Sequence, residues 1–137
     1  MDLKLELIMI PVSDVDVAKD FYVNQLGFRV EMDMMLNPEF RVARLIPPGS
    51  RCGIAIGTGL TDATPGSAKG MHFMVLDALE VAAELSSRGV AFHGPYHFVD
   101  GVPVEGVPEP RDPFNTFLDF ADPDGNTWIV QEVPADN

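Results

Sequence analysis

Cysteine, positive charge and long apolar runs are all scarce in this sequence of 137 residues. Its single cysteine, Cys52, cannot form an intrachain disulfide, and residues 1–6 are charged where a signal peptide needs an uninterrupted apolar stretch. Nine Lys and Arg residues stand against 21 Asp and Glu residues, and the net charge of -12 leaves no basic surface for nucleic acid. No apolar run approaches the roughly 20 residues of a membrane span. We therefore expect a cytoplasmic protein that binds neither nucleic acid nor membranes.

The first half of the sequence predicts a strand, a helix and three further strands. Residues 3–12 begin with the alternation of a strand that has two different faces. Ser13 or Asp14 can cap a helix over residues 14–26, whose apolar side chains recur at three- and four-residue spacing until Gly27. The three strands that follow are predicted at residues 28–32, 41–46 and 51–56.

The second half repeats this order after a shift of about 63 residues. A strand at residues 71–75 precedes a helix that Asp77 caps, with Ala78, Val81, Ala82 and Leu85 as its buried stripe. Further strands are predicted at 90–93, 114–120 and 127–133, the last two joined by a type I turn at Asp122-Pro123-Asp124-Gly125. We expect a single α+β domain over 1–137, with module one at about 1–62 and module two at about 63–137.

Residues 93–115 are interpreted as one long loop. Tyr96 and Phe98 stand there among glycines and prolines, and loops of more than about 15 residues in compact domains are usually functional or disordered. The aromatic side chains pack over a bound ligand in one interpretation and anchor a surface loop in the other.

The combined pattern resembles the vicinal oxygen chelate superfamily, which contains glyoxalase I, bleomycin resistance proteins and extradiol dioxygenases. The resemblance covers nearly the whole chain. It implies two βαβββ modules that form a U-shaped half-barrel, and a homodimer. It is carried by the twofold β-α-β-β-β order and by the segments Val12-Ser13-Asp14, Phe21-Tyr22, Leu26-Gly27-Phe28 and Asp122-Pro123-Asp124-Gly125-Asn126.

The same resemblance locates the metal ligands of the metal-using members at four positions, which in this sequence are Leu7, Ala55, Gly70 and Ile129. None of these side chains can bind a divalent ion, which takes imidazole nitrogen or carboxylate oxygen. We therefore expect no metal and no other cofactor.

The three histidines are an alternative candidate for a metal site. His72 lies two residues beyond Gly70 on the same strand face, and His93 and His97 are separated by Gly94-Pro95, which forbids the continuous helix of a usual histidine pair. A three-histidine zinc site would require the loop to bring His97 toward His72. The other interpretation of His72 is a hydrogen-bonded core or pocket residue.

The resemblance to bleomycin resistance proteins predicts a metal-free protein that binds an apolar or aromatic small molecule in its cleft. Arg41 and His72 are the candidate polar contacts, although Arg41 is equally well interpreted as a solvated charge at a strand edge. The candidate ligand-binding residues are Leu7, Met9, Arg41, His72, Tyr96, Phe98 and Ile129.

Two other functions fit the same sequence. The first is a glyoxalase-like enzyme: a metal-dependent lyase, epimerase or dioxygenase with shifted ligands, or a metal-free acid–base catalyst that uses His72, since the unperturbed pKa of histidine is about 6.5. The second is a scaffold for protein association, which would need an exposed apolar patch.

Overall fold

The computed structural model describes residues 1–135 and confirms the α+β class and the two successive modules. No helix in this described range is long and apolar enough to cross a bilayer. Its elements are β1 (Leu7–Met9), α1 (Val15–Asp20) continued by a π-helical turn (Phe21–Gln25), β2 (Arg29–Asn37), β3 (Phe40–Ile46), β4 (Gly53–Thr58), β5 (Met71–Val75), α2 (Ala78–Ser87), β6 (His93–Val99), β7 (Val102–Glu105), β8 (Phe117–Ala121) and β9 (Thr127–Glu132).

The first compact unit consists of Met1–Ala68 together with Asp122–Asn126. Its sheet, which we call sheet one, has the strand order β1-β4-β3-β2, with β1 parallel to β4 and the other pairs antiparallel. The α1 helix lies against β4, and the side of the helix that faces the sheet is apolar and buried. This core contains Ala43, Leu45, Ile54 and Ile56.

The second compact unit consists of Lys69–Ala121 and, within the described residues, 127–135. Its sheet, sheet two, has the strand order β5-β9-β8-β6-β7. The α2 helix lies against β6, β8 and β9, and the side chains of Leu118, Phe120, Trp128 and Val130 form the buried face. Phe73 stacks on Trp128 with ring centroids 4.3 Å apart.

The first strand and the α-helix of the first unit are shorter than predicted. The strand predicted at residues 3–12 is paired only over Leu7–Met9, opposite Gly53, Ile54 and Ala55 of β4, and Pro11 just beyond it has no backbone N–H to extend the ladder. The predicted helix is indeed capped by Asp14, whose Oδ1 accepts from Val17 N–H at 3.1 Å, but the α-helix ends at Asp20. A wider turn follows, closed by the bond from Leu26 N–H to the Phe21 carbonyl.

The long loop predicted at residues 93–115 is wrong over residues 93–105, where β6 and β7 form a hairpin, and right over 106–115, which contain no strand or helix. Asp100 and Gly101 make the turn of the hairpin with φ of 51° and 78°, the left-handed conformation that a two-residue hairpin loop requires. The strand expected at 90–93 therefore lies at His93–Val99, and module two has one strand more than the predicted βαβββ order.

The remaining strand predictions are right in place and shifted at their ends. The strand at 28–32 extends to Asn37, the strand at 51–56 lies at Gly53–Thr58, and the strand at 114–120 begins only at Phe117. The strand at Met71–Val75 and the Asp77 cap, whose Oδ1 accepts from Glu80 N–H at 3.1 Å, are confirmed.

Candidate functional site

The Asp122-Pro123-Asp124-Gly125-Asn126 turn is a structural clamp within the first unit. The buried Asp122 carboxylate accepts hydrogen bonds from the Tyr22 hydroxyl at 2.7 Å and from Asn126 Nδ2 at 2.8 Å. Asn126 Nδ2 also donates to the Pro11 carbonyl, and Ser13 Oγ donates to Asp124 at 2.6 Å. Because all these polar groups bond one another, the motif fixes the residues that follow β1.

Arg41, a candidate ligand contact, lies on the α1 side of sheet one. Its guanidinium donates to Asp33 at 2.9 and 3.0 Å and to Asp16 at 2.9 Å, and Lys19 donates to the same Asp33 carboxylate at 2.8 Å. These hydrogen bonds, from Arg41 first and Lys19 second, hold the pKa of Asp33 well below its usual range. The two cations thus connect β3, β2 and α1.

The opposite, open face of sheet one carries a different arginine. Strand pairing places Met32, Arg44, Ala55 and Met9 in one row across the four strands. Arg44 pairs with Glu6 at 3.0 Å and with Glu31 at 3.4 Å, and Met9 is 49% exposed. This face therefore offers a guanidinium among thioethers, and Arg44 is a candidate contact that the sequence did not single out.

The open face of sheet two, the side that α2 does not cover, holds most of the other candidates in two adjacent rows. The first row is His72, Ile129, Asp119 and His93. The second row is Met74, Gln131, Phe117, Tyr96 and Glu105. His72 and Ile129 are direct neighbours, and the exposed His72 holds its Nδ1 2.8 Å from the Gly70 carbonyl oxygen.

Four rings form a cluster on this face. His93 stacks on Tyr96 at 4.8 Å and Tyr96 stacks on Phe117 at 5.7 Å, so the three rings form a ladder. Phe98 meets Tyr96 and Phe117 edge-on at 5.9 and 5.4 Å and is 39% exposed. We call these four residues the ring cluster. Such a cluster gives a flat ligand both stacking and edge contacts.

Two carboxylates border the ring cluster. His93 Nε2 lies 2.7 Å from Glu105 Oε1 of β7, and its Nδ1 lies 3.2 Å from Asp119 Oδ2 of β8. These contacts raise the pKa of His93 above its usual value. The hydrogen bond to Glu105 contributes most to the shift, and the hydrogen bond to Asp119 contributes second. Burial first, and then a hydrogen bond with Asp119, raise the pKa of Tyr96 to about 12.

The structure keeps the three histidines apart. His72 and His93 stand at the two ends of a row four strands wide, about 14 Å apart at the usual strand spacing. His97 follows Tyr96 and so points to the other face, where its Nδ1 lies 2.6 Å from the Gly106 carbonyl oxygen.

Residues 4–130 match the model of the glyoxalase/bleomycin resistance protein/dioxygenase superfamily. The chain belongs to this superfamily. No curated protein sequence matches the chain.

Several solved structures resemble this chain over almost its whole length. TnmS3, an antibiotic binding protein from Streptomyces sp. CB03234, is 28% identical with a TM-score of 0.76, over 96% of this chain and 97% of TnmS3. A glyoxalase/bleomycin resistance protein from the same organism is 29% identical with a TM-score of 0.73, over 94% and 100% of the two chains. A superfamily member from Sphaerobacter thermophilus DSM 20745 is 30% identical with a TM-score of 0.74, over 96% and 98%.

The superfamily's metal positions do not fit a metal in this chain. Strand pairing sets Met9 opposite Ala55 and His72 opposite Ile129, while Leu7 lies opposite Gly53. His72 is the one imidazole or carboxylate among these side chains, and a stable site needs several. Within residues 1–135, no group of three or more His, Cys, Asp or Glu side chains is arranged to hold an ion.

The ring cluster contains two of the predicted ligand-binding residues and adds others that the sequence analysis did not name. Tyr96 and Phe98 were predicted, whereas Phe117, His93 and the two carboxylates were not. The Asp100-Gly101 pair between alternating apolar residues is a hairpin signal, and it would have placed Tyr96 and Phe98 on the same strand face.

Proposed function

We propose that this chain binds a small, flat, apolar or aromatic molecule and holds it without a metal. The ring cluster on the open face of sheet two is the observation that supports this most directly, because it combines stacked rings with two partly exposed ones, Phe98 and His93. Each aromatic pair of this kind contributes about 0.5–1.5 kcal/mol. The similarity to TnmS3, an antibiotic binding protein, supports the binding of a small molecule.

Fluorescence titration with acridone, a neutral tricyclic probe, tests the proposal. We expect saturable binding, and we expect Phe98→Ala to raise the Kd about tenfold, since it removes one edge-on ring contact. Val104→Ala is the matched control: Val104 is 40% exposed on the same hairpin, but pairs with His97 on the other face. Equal losses in the two variants would contradict the assignment of the site to the ring cluster.

The metal-free version of the enzymatic alternative depends on His72. A hydrogen bond from Nδ1–H to the Gly70 carbonyl would leave the basic lone pair on Nε2, which suits a proton acceptor. Elemental analysis of protein purified without a histidine tag separates the metal-dependent version of this alternative from our proposal. Stoichiometric zinc, nickel, iron or manganese would contradict metal-free binding.

We also propose that the protein acts in the reducing cytoplasm as a homodimer. The lone Cys52 and the acidic composition support the first part, and the superfamily resemblance supports the second.

A further inference from the structure

We propose that His93 is a built-in counter-ion that sets the charge of the ligands this site accepts: protonated His93 favours neutral aromatic molecules, and neutral His93 admits flat organic cations. The inference rests on the proposed function, because it assigns a ligand charge to the same ring cluster.

The geometry places one imidazole between carboxylates from two different strands. Glu105 of β7 is 2.7 Å from one ring nitrogen and Asp119 of β8 is 3.2 Å from the other. Tyr96 of β6 stacks against the ring and hydrogen-bonds Asp119, and His72 of β5 stands at the far end of the same row. The α2 helix covers the opposite face of the sheet.

The local charge therefore depends on one proton. Two carboxylates and an imidazolium carry a net charge of about -1, and the same groups with a neutral imidazole carry about -2. The side chains of His93, Glu105 and Asp119 are 53%, 76% and 41% exposed, so a ligand in solution can approach them.

The rings beside these charges suit a flat cation. The rings of Phe98 and Phe117 each contact the ring of Tyr96. A cation that lies over such a ring gains cation–π attraction. When His93 is protonated, its imidazolium, stacked 4.8 Å from the ring of Tyr96, repels a cationic ligand bound at the ring cluster. Cation binding and His93 protonation must then oppose each other, and this linkage is reciprocal.

The experiment compares two fluorescent tricycles of similar shape, N-methylacridinium, which is cationic at every pH, and acridone, which is neutral. Their Kd values are measured with the wild-type protein from about pH 5 to about pH 9, across the titration range of histidine. We expect the affinity of the cation relative to acridone to rise about fivefold over this range, as one nearby charge in water predicts.

Two variants assign the effect to His93. His93→Gln keeps an amide that can bond a carboxylate but never carries charge, so the relative affinity should stay at its high-pH value. His93→Lys carries charge throughout, so the relative affinity should stay at its low-pH value.

The outcomes separate this inference from the proposed function. If acridone does not bind, the proposed function fails and this inference fails with it. If both probes bind with a pH-independent ratio, or if His93→Gln retains the wild-type pH dependence, the inference is wrong while the binding function stands. Should the variants not fold, NMR titration of the wild-type histidines decides: N-methylacridinium should lower the pKa of His93 and acridone should not.

Discussion

At the scale of single residues, a hydrogen bond between a tyrosine and an aspartate has a different role when it is buried than when it is exposed. Tyr22 and Tyr96 each hydrogen-bond an aspartate. Asp122, the partner of Tyr22, is only 5% exposed, whereas the Asp119 side chain is 41% exposed. A buried acceptor that loses its donor has no water to replace it, so the first pair matters for stability and the second can serve binding.

We expect Tyr22→Phe to lower the free energy of unfolding by about 1–3 kcal/mol, because it leaves the buried Asp122 carboxylate with one donor fewer. Tyr96→Phe, the matched control, should cost under about 1 kcal/mol, since water can reach Asp119. Urea unfolding of both variants measures the difference. Similar losses in the two would show that burial does not distinguish these bonds.

His72 is exposed and makes one local hydrogen bond, so its removal should hardly affect folding. We expect His72→Phe to change the free energy of unfolding by less than about 0.5 kcal/mol, as at most surface positions. If His72 contacts the ligand, the same variant should weaken acridone binding. A lower melting temperature with unchanged acridone affinity would instead assign His72 a purely structural role.

At the scale of elements, charged side chains join α1 to sheet one. Asp33 of β2 accepts from Lys19 of α1 and from Arg41 of β3, and Arg41 also reaches Asp16 of α1. The low pKa of Asp33 means that its carboxylate binds protons less readily in the folded state than in the unfolded chain. Its contribution to stability is therefore present above the usual pKa of 3.8 and is lost as the pH falls below it.

We expect Asp33→Asn to lower stability by about 1 kcal/mol at neutral pH, near the upper end for partly exposed ion pairs. The gap to the wild type should close as the pH falls below about 4, where Asp33 is protonated in the unfolded chain. Asp16→Asn removes a partner of the same arginine, but Asp16 is 80% exposed, so its loss should be under about 0.5 kcal/mol. Chemical unfolding at several pH values checks both, and a gap that widens in acid would be the contrary result.

At the scale of the whole molecule, the net charge of -12 gives the protein a field that attracts cations over long distances and is screened by salt. This field and the local carboxylates of sheet two act in the same direction. The apparent affinity for N-methylacridinium should thus fall with ionic strength more than that for acridone.

The predicted homodimer is the other property of the whole molecule. Light scattering at micromolar concentration should give about twice the 14.9 kDa of one chain. A mass of one chain, unchanged on concentration, would contradict the dimer.

Apart from the β6–β7 hairpin, the order of the elements and the resemblance to the superfamily follow from the sequence, because helix caps, apolar spacing and turn residues are local signals. Asp14 and Asp77 cap the two helices, and Met71–Val75 forms a strand, as the pattern predicted. Such features depend on residues a few positions apart, and one sequence contains all of them.

Which side chains of different strands and helices meet depends on tertiary packing. Arg41 and Arg44 are three residues apart in β3 and therefore point to opposite faces by strand alternation, but only tertiary packing places Asp16 of α1 beside Arg41 and the row with Met9 beside Arg44. His93, Asp119 and Glu105 meet because β7, β6 and β8 are neighbours in sheet two. Pairings over these sequence distances are set by packing of the whole sheet, and no local periodicity encodes them.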